Sequence, residues 1–253
     1  MLLSKLCFSY YIYFSLSILM SFSCICLVGC GNTASKIDTS TIENTKIDSK
    51  GLKKDIPIKY QLHDVPHNPS KQRGTDCAPD SLRMILNYRG KNVAEQDIPR
   101  LLKSRGKGGG TSFYQMQDIA VKNYALPAFV LHNCDLASIK VLIINKLPPI
   151  IGYRATGRYY HAVVAVGYDD EKNLMLVHDP NIIGVRKIRY SDLGGVSSDG
   201  TQRLSCLLVL PNEINYDKLI KILDDYISEE MLSKLSISVM LPSYSLNTGT
   251  DKE

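Results

Sequence analysis

The chain has 253 residues, 30 Lys and Arg against 25 Asp and Glu, a net charge of +5 and seven cysteines. So small an excess, with its cations scattered and no basic-aromatic platform, gives no ground for a nucleic-acid partner. No internal repeat is present, and no His/Cys spacing resembles a metal site, so neither a metal nor another cofactor is expected.

The first element is a long apolar run behind Lys5, residues 6–29, ending in Leu27-Val28-Gly29-Cys30. Small residues before a Cys at the end of a secretory apolar segment have the form of a bacterial lipobox. Signal peptidase then cuts before Cys30, and Cys30 carries the lipid. A plain transmembrane anchor is the alternative, because the run is long enough to span a bilayer. Residues 1–29 are thus expected to be a lipoprotein signal peptide. Residues 30–56, polar and without a sustained apolar face, are expected to be a flexible tether. Gly31 is not the Asp that retains lipoproteins at an inner membrane, so a Gram-negative host would place the protein at its outer membrane. A Gram-positive host would leave it on the outer face of its single membrane. Loss of residues 1–29, which contain Lys5 and no acid, leaves a charge of +4 and the cysteines Cys30, Cys77, Cys134 and Cys206. With Cys30 lipidated and Cys77 used for chemistry, Cys134 and Cys206 are either an export-compartment disulfide or two separately buried thiols.

A domain is expected from residue 57. Its most informative stretch is Gln72-Arg-Gly-Thr-Asp-Cys77-Ala-Pro-Asp-Ser-Leu-Arg-Met-Ile-Leu. Pro79 suits a first helical turn, and Leu82, Ile85 and Leu86 form an apolar stripe at helical spacing, so a helix starts near Cys77. Free N–H groups and the positive end of the helix dipole favour a thiolate there, the reactive form of a cysteine. Gln72 is placed to offer an amide donor to the anion formed when a carbonyl is attacked. Asn92 with Glu95 offers a helix cap, with Pro99 shortening or kinking that helix, and Ser112 with Gln115 offers another ahead of a helix to about Tyr124. Between them, Lys103, Arg105 and Lys107 read as a solvated basic loop. Gly108-Gly109-Gly110 lacks the Lys-Ser/Thr of a phosphate loop and reads as a bend beside the cleft.

The order then turns to strands: 126–131, a helix over 135–146, and strands at 149–154, 160–167, 174–178, 185–189 and 204–210. Helices before strands indicate an α+β fold, with the cysteine helix packed on an antiparallel sheet. The strand Tyr160-His161-Ala-Val-Val-Ala-Val-Gly167 and the strand ending His178-Asp179-Pro180 are joined by a polar turn. A hairpin would set His161 near Asp179, a general base with its orienting carboxylate. His178 is the rival base; adjacent strand residues face opposite ways, so it points elsewhere if Asp179 faces the site. His63, His67 and His132 sit in loop-like contexts and suit surface or structural roles. Residues 212–253 are expected to add two amphipathic helical stretches over 214–240 and a polar tail, packing on the domain's back or offering a partner face.

Taken together, these residues resemble the papain-like cysteine peptidases that process bacteriocin leaders after a double glycine. The likeness covers about residues 57–211: Gln72 with Asp76-Cys77 and its helix, the bend Gly106–Gly110, the His161 strand, Asp179-Pro180, and the closing strand Leu207–Pro211. It implies Cys77 as nucleophile, Gln72 as oxyanion donor, His161 as base and Asp179 as its orienter. It further implies hydrolysis of a peptide or protein substrate after small residues such as Gly-Gly, with coupling to export calling for a separate transporter or envelope partner. The chain departs from the family at Ala78, where Gly is usual, and at Asp80, where a small residue is. A methyl at 78 is compatible with helical dihedrals but would crowd a substrate backbone. An acid at 80 suits a first helical turn, yet its charge near Cys77 would oppose thiolate formation. A silent peptide-binding module and a papain-like acyl transferase are accordingly the alternatives to a peptidase.

Overall fold

Helix α1, Cys77–Tyr88, is buried along Ala78–Leu86 and runs through the middle of the protein instead of lying on its surface. The computed structural model describes residues 52–69, 77–102, 110–156, 159–196 and 202–243. Before α1 comes the short strand β1, Lys59–Gln61, and after it α2, Asp97–Leu101, and α3, Phe113–Tyr124. Strand β2, Ala128–Cys134, and helix α4, Leu136–Ile144, lead into β3, Ile150–Thr156, β4, Tyr159–Asp169, β5, Leu174–His178, and β6, Val185–Arg189. The chain closes with β7, Gly195–Val196, β8, Gln202–Val209, α5, Tyr216–Asp224, α6, Glu229–Lys234, and β9, Ser236–Met240.

The fold is α+β. Seven strands lie in the order β6-β5-β4-β3-β8-β2-β9, with β1 added to the far end of β4 and β7 to β8. All these pairings are antiparallel. The helix layer and the sheet share one apolar core, in which Leu82, Ile85, Leu86, Phe129, Val163 and Leu207 are closed to solvent. Ser81 fixes α1 to the sheet by donating its hydroxyl to the Ala162 carbonyl at 3.1 Å. Gln117 of α3 reaches the Ala128 and Ser238 carbonyls at 2.8 and 3.0 Å, tying β2 to β9. Gly167 permits the close approach of β1, since a Cβ there would lie 2.4 Å from the Tyr60 carbonyl oxygen.

Several local expectations are met and three are corrected. The Ser112–Gln115 capping box is formed in both directions. The Asn92–Glu95 cap is not: α2 begins at Asp97, whose carboxylate accepts the Ala94 N–H at 2.8 Å, so the acid inside the first turn replaces the cap. Residues 236–240 are a strand, because the free edge of β2 takes them as β9 and supplies backbone partners that a helix would otherwise have to provide. His132 lies on β2 and not in a loop, bonded to the Tyr114 hydroxyl and to Ser205 at 2.9 Å each. Cys134 and Cys206 are buried free thiols with their sulfurs 3.9 Å apart. Upstream of residue 57, Leu52 bridges to Ile227 and the Lys53 N–H donates to the Tyr226 carbonyl. Among the described residues no helix is long and apolar enough to cross a membrane.

Candidate active site

Cys77 opens α1, where the first-turn N–H groups have no partner within the helix and the helix dipole is positive. Burial opposes ionisation of its thiol and is the largest single influence. Hydrogen bonding to the His161 ring and to the backbone at Ala162 and Ala78, together with the His161 charge, outweighs burial and holds the thiol below its usual 9.0. The thiol therefore lies where α1 meets β4, close enough to the imidazole for each to shift the other.

His161 is placed by β4, and Asp179 comes directly after β5, whose register sets Val164 opposite His178. His161 Nε2 and Asp179 Oδ1 are 2.8 Å apart, which leaves Nδ1 as the ring nitrogen for the thiol. Burial disfavours the imidazolium most strongly, yet hydrogen bonds to Asp179 and Cys77, with their charges, raise His161 from 6.5 to about 9. A lowered thiol beside a raised imidazole favours a thiolate–imidazolium pair. The Asp179 side chain is fully buried, and burial pushes its carboxyl upward. Bonds from His161, the Asn181 N–H at 2.9 Å and Arg186 Nη1 at 2.6 Å overcome that and hold it at about 2.

Of the sequence-predicted site residues, Cys77, His161 and Asp179 come together. Gln72 and Cys30 lie outside the described residues, as do Asp76, Lys103, Arg105 and Lys107, Gly106–Gly109 and the polar tail. His178 takes no part in this cluster. It stacks on His67, ring centroids 4.4 Å apart and 13° from parallel, and burial followed by the His67 charge lowers it to about 4. The two departures at the helix start are also placed. Ala78 is 4% exposed, so its methyl sits in the core. Asp80 pairs with buried Arg83 at 3.2 Å, and Arg83 also donates to the Asn68 carbonyl at 2.8 Å, so the Asp80 charge is balanced within the helix.

Two residues of the site escaped the sequence reading. Tyr153 on β3 faces His161 directly across the ladder, their rings meeting edge-on at 5.7 Å. Arg186 on β6 bonds Asp179 and lies over the Tyr153 ring, 5.7 Å from its centroid. Both depend on strand register, which carries no local signal. Among the described residues no group of three His, Cys, Asp or Glu is disposed to hold a metal. Chemically the arrangement offers a thiolate nucleophile, an acid–base imidazole and a fixed carboxylate.

No curated protein matches the chain. A family model does, over residues 53–195, a span that contains the cysteine at the helix start, the histidine strand and the aspartate after the next strand. The chain belongs to the Peptidase_C39 like family.

Proposed function

We propose that the protein is a lipid-anchored, extracytoplasmic cysteine peptidase in which Cys77 is the nucleophile, His161 the general acid and base, Asp179 its orienter and Gln72 an oxyanion donor. The observation that carries this reading is the junction of Cys77, His161 and Asp179, with the thiol lowered and the imidazole raised. In this reading the Cys77 thiolate attacks a peptide carbonyl, and the oxyanion is met by the α1 amides and the Gln72 side chain. The His161 imidazolium protonates the leaving amine, and His161 then draws a proton from the water that releases the acyl group. Residues such as Gly-Gly before the scissile bond fit the family resemblance, and a separate transporter or envelope partner would bring the substrate. The N-terminal Leu27-Val28-Gly29-Cys30 motif supports the lipid anchor.

The test is hydrolysis of a peptide library containing Gly-Gly sequences by the wild type and Cys77→Ala. The expected result is turnover that Cys77→Ala abolishes with little change in melting temperature. Binding of the same peptides without cleavage by wild type would replace the peptidase by a silent binding module. Transfer of the acyl group to an added amine in preference to water would make it a transferase.

A further inference from the structure

We propose that Arg186 is a positioning residue of this site: it locks the orientation of Asp179 and limits how strongly that carboxylate stabilises the positive charge of the His161 ring. The proposal rests on the peptidase reading and deepens it. The fully buried Asp179 carboxylate is engaged through both oxygens, Oδ1 by His161 and the Asn181 N–H, Oδ2 by Arg186 at 2.6 Å. A carboxylate held through one oxygen is free to swing about its side-chain bonds. Held through both, it presents Oδ1 to the ring in one direction.

Arg186 also reaches His161 by a second route. Its guanidinium lies over Tyr153, whose ring packs edge-on against His161. Asp179, Arg186, Tyr153 and His161 thus close a ring of four side chains drawn from β3, β4, β6 and the end of β5. Tyr153 is 3% exposed, and its hydroxyl finds no hydrogen-bond partner among the described residues, so its ring is placed by packing between Arg186 and His161. Among the described residues the groups facing the imidazole are Cys77 from α1, Tyr153 from β3 and Asp179 after β5, with Arg186 from β6 behind Asp179 and His67 against the Asp179 carbonyl. Of these, Arg186 alone is a permanent cation. Its charge offsets part of the Asp179 pull on the imidazolium. Without it the unbalanced carboxylate would stabilise the imidazolium more strongly, so Nδ1 would release its proton less readily and His161 would be a poorer acid for the leaving amine.

The experiment tracks the His161 ring by carbon NMR across pH in the wild type, Arg186→Gln and Arg186→Lys, with kcat, KM and melting temperature measured beside it. In Arg186→Gln the His161 midpoint should move above that of the wild type, and kcat should fall about 10- to 100-fold with KM nearly unchanged, as expected for a small misplacement of reacting groups. Arg186→Lys should restore the midpoint but only part of kcat, since an ammonium supplies the charge without the planar fork. The Arg186 side chain is 35% exposed on an edge strand, so the fold should tolerate both changes. An unmoved midpoint and kcat in Arg186→Gln would overturn the proposal, as would collapse of its melting temperature, which would make Arg186 a structural residue. Absence of turnover in the wild type sinks the peptidase reading separately, while the NMR comparison still decides whether Arg186 governs His161.

Discussion

The state of Cys77 and His161 at a given pH is set by burial, which opposes both charges, and by the hydrogen bonds and charges, Asp179 included, that outweigh it. The thiol is lowered from 9.0 and the imidazole raised to about 9. Thiolate reactivity should therefore persist below the usual thiol range and be lost as pH falls, while acid catalysis by the imidazolium is lost as pH rises through about 9. Since the pair titrates jointly, the two limbs of the hydrolysis profile belong to both residues. Measured by iodoacetamide trapping with mass spectrometry, Cys77 should alkylate faster near neutral pH than a model thiol of pKa about 8.5. His161→Ala should slow it toward that reference, and Asp179→Asn should do so less. Equal rates in all three proteins would remove the ion pair from the mechanism. The three residues were legible because each carries its own local sign: a helix start for Cys77, strand alternation for His161, a strand end for Asp179. Tyr153 and Arg186 carry none, because what makes them neighbours is the register of β3 and β6 against β4 and β5.

At the scale of elements, α1 has to present Cys77 while passing through the core, and its charged residues serve that passage. Asp80 and Arg83 have side chains only 4% and 8% exposed, and each gives the other a partner that water cannot supply. Asp80→Asn should cost about 3 kcal/mol, read by urea unfolding, because it leaves Arg83 a buried charge without its counter-ion. Cys77 alkylation should change little in the same variant. A marked gain in reactivity would mean instead that the Asp80 charge restrains the thiol, as the sequence by itself suggests. The boundaries of β5 and β6 were readable in full from alternation and turn residues. Strand β9 was not, because Ser236–Met240 continues an apolar rhythm begun in the helices, and only the vacant edge of β2 makes it a strand. The same limit explains α2, where the competition between an Asn92 cap and Asp97 is settled by backbone geometry over three residues.

For the molecule as a whole, the question is where this site works. The polar sequence after Cys30 has the composition of a tether, and among the described residues Leu52 and Lys53 already contact the domain at Ile227 and Tyr226. A lipid on Cys30, as proposed, would hold the domain near a membrane through that polar segment. That arrangement predicts that mass spectrometry of the N-terminal peptide finds a chain starting at acylated Cys30, and that Cys30→Ser moves the protein from the membrane fraction to the soluble one or leaves it as an unprocessed precursor. The Cys77 alkylation rate should be the same in the membrane-bound protein and in a soluble form starting after residue 30, because the reactivity of the thiol is set by His161 and the α1 amides inside the domain. An unmodified Cys30 in a membrane-bound chain that retains residues 1–29 would replace the lipid by a transmembrane anchor. A change in Cys77 reactivity on release would mean that the membrane or the tether itself completes the site.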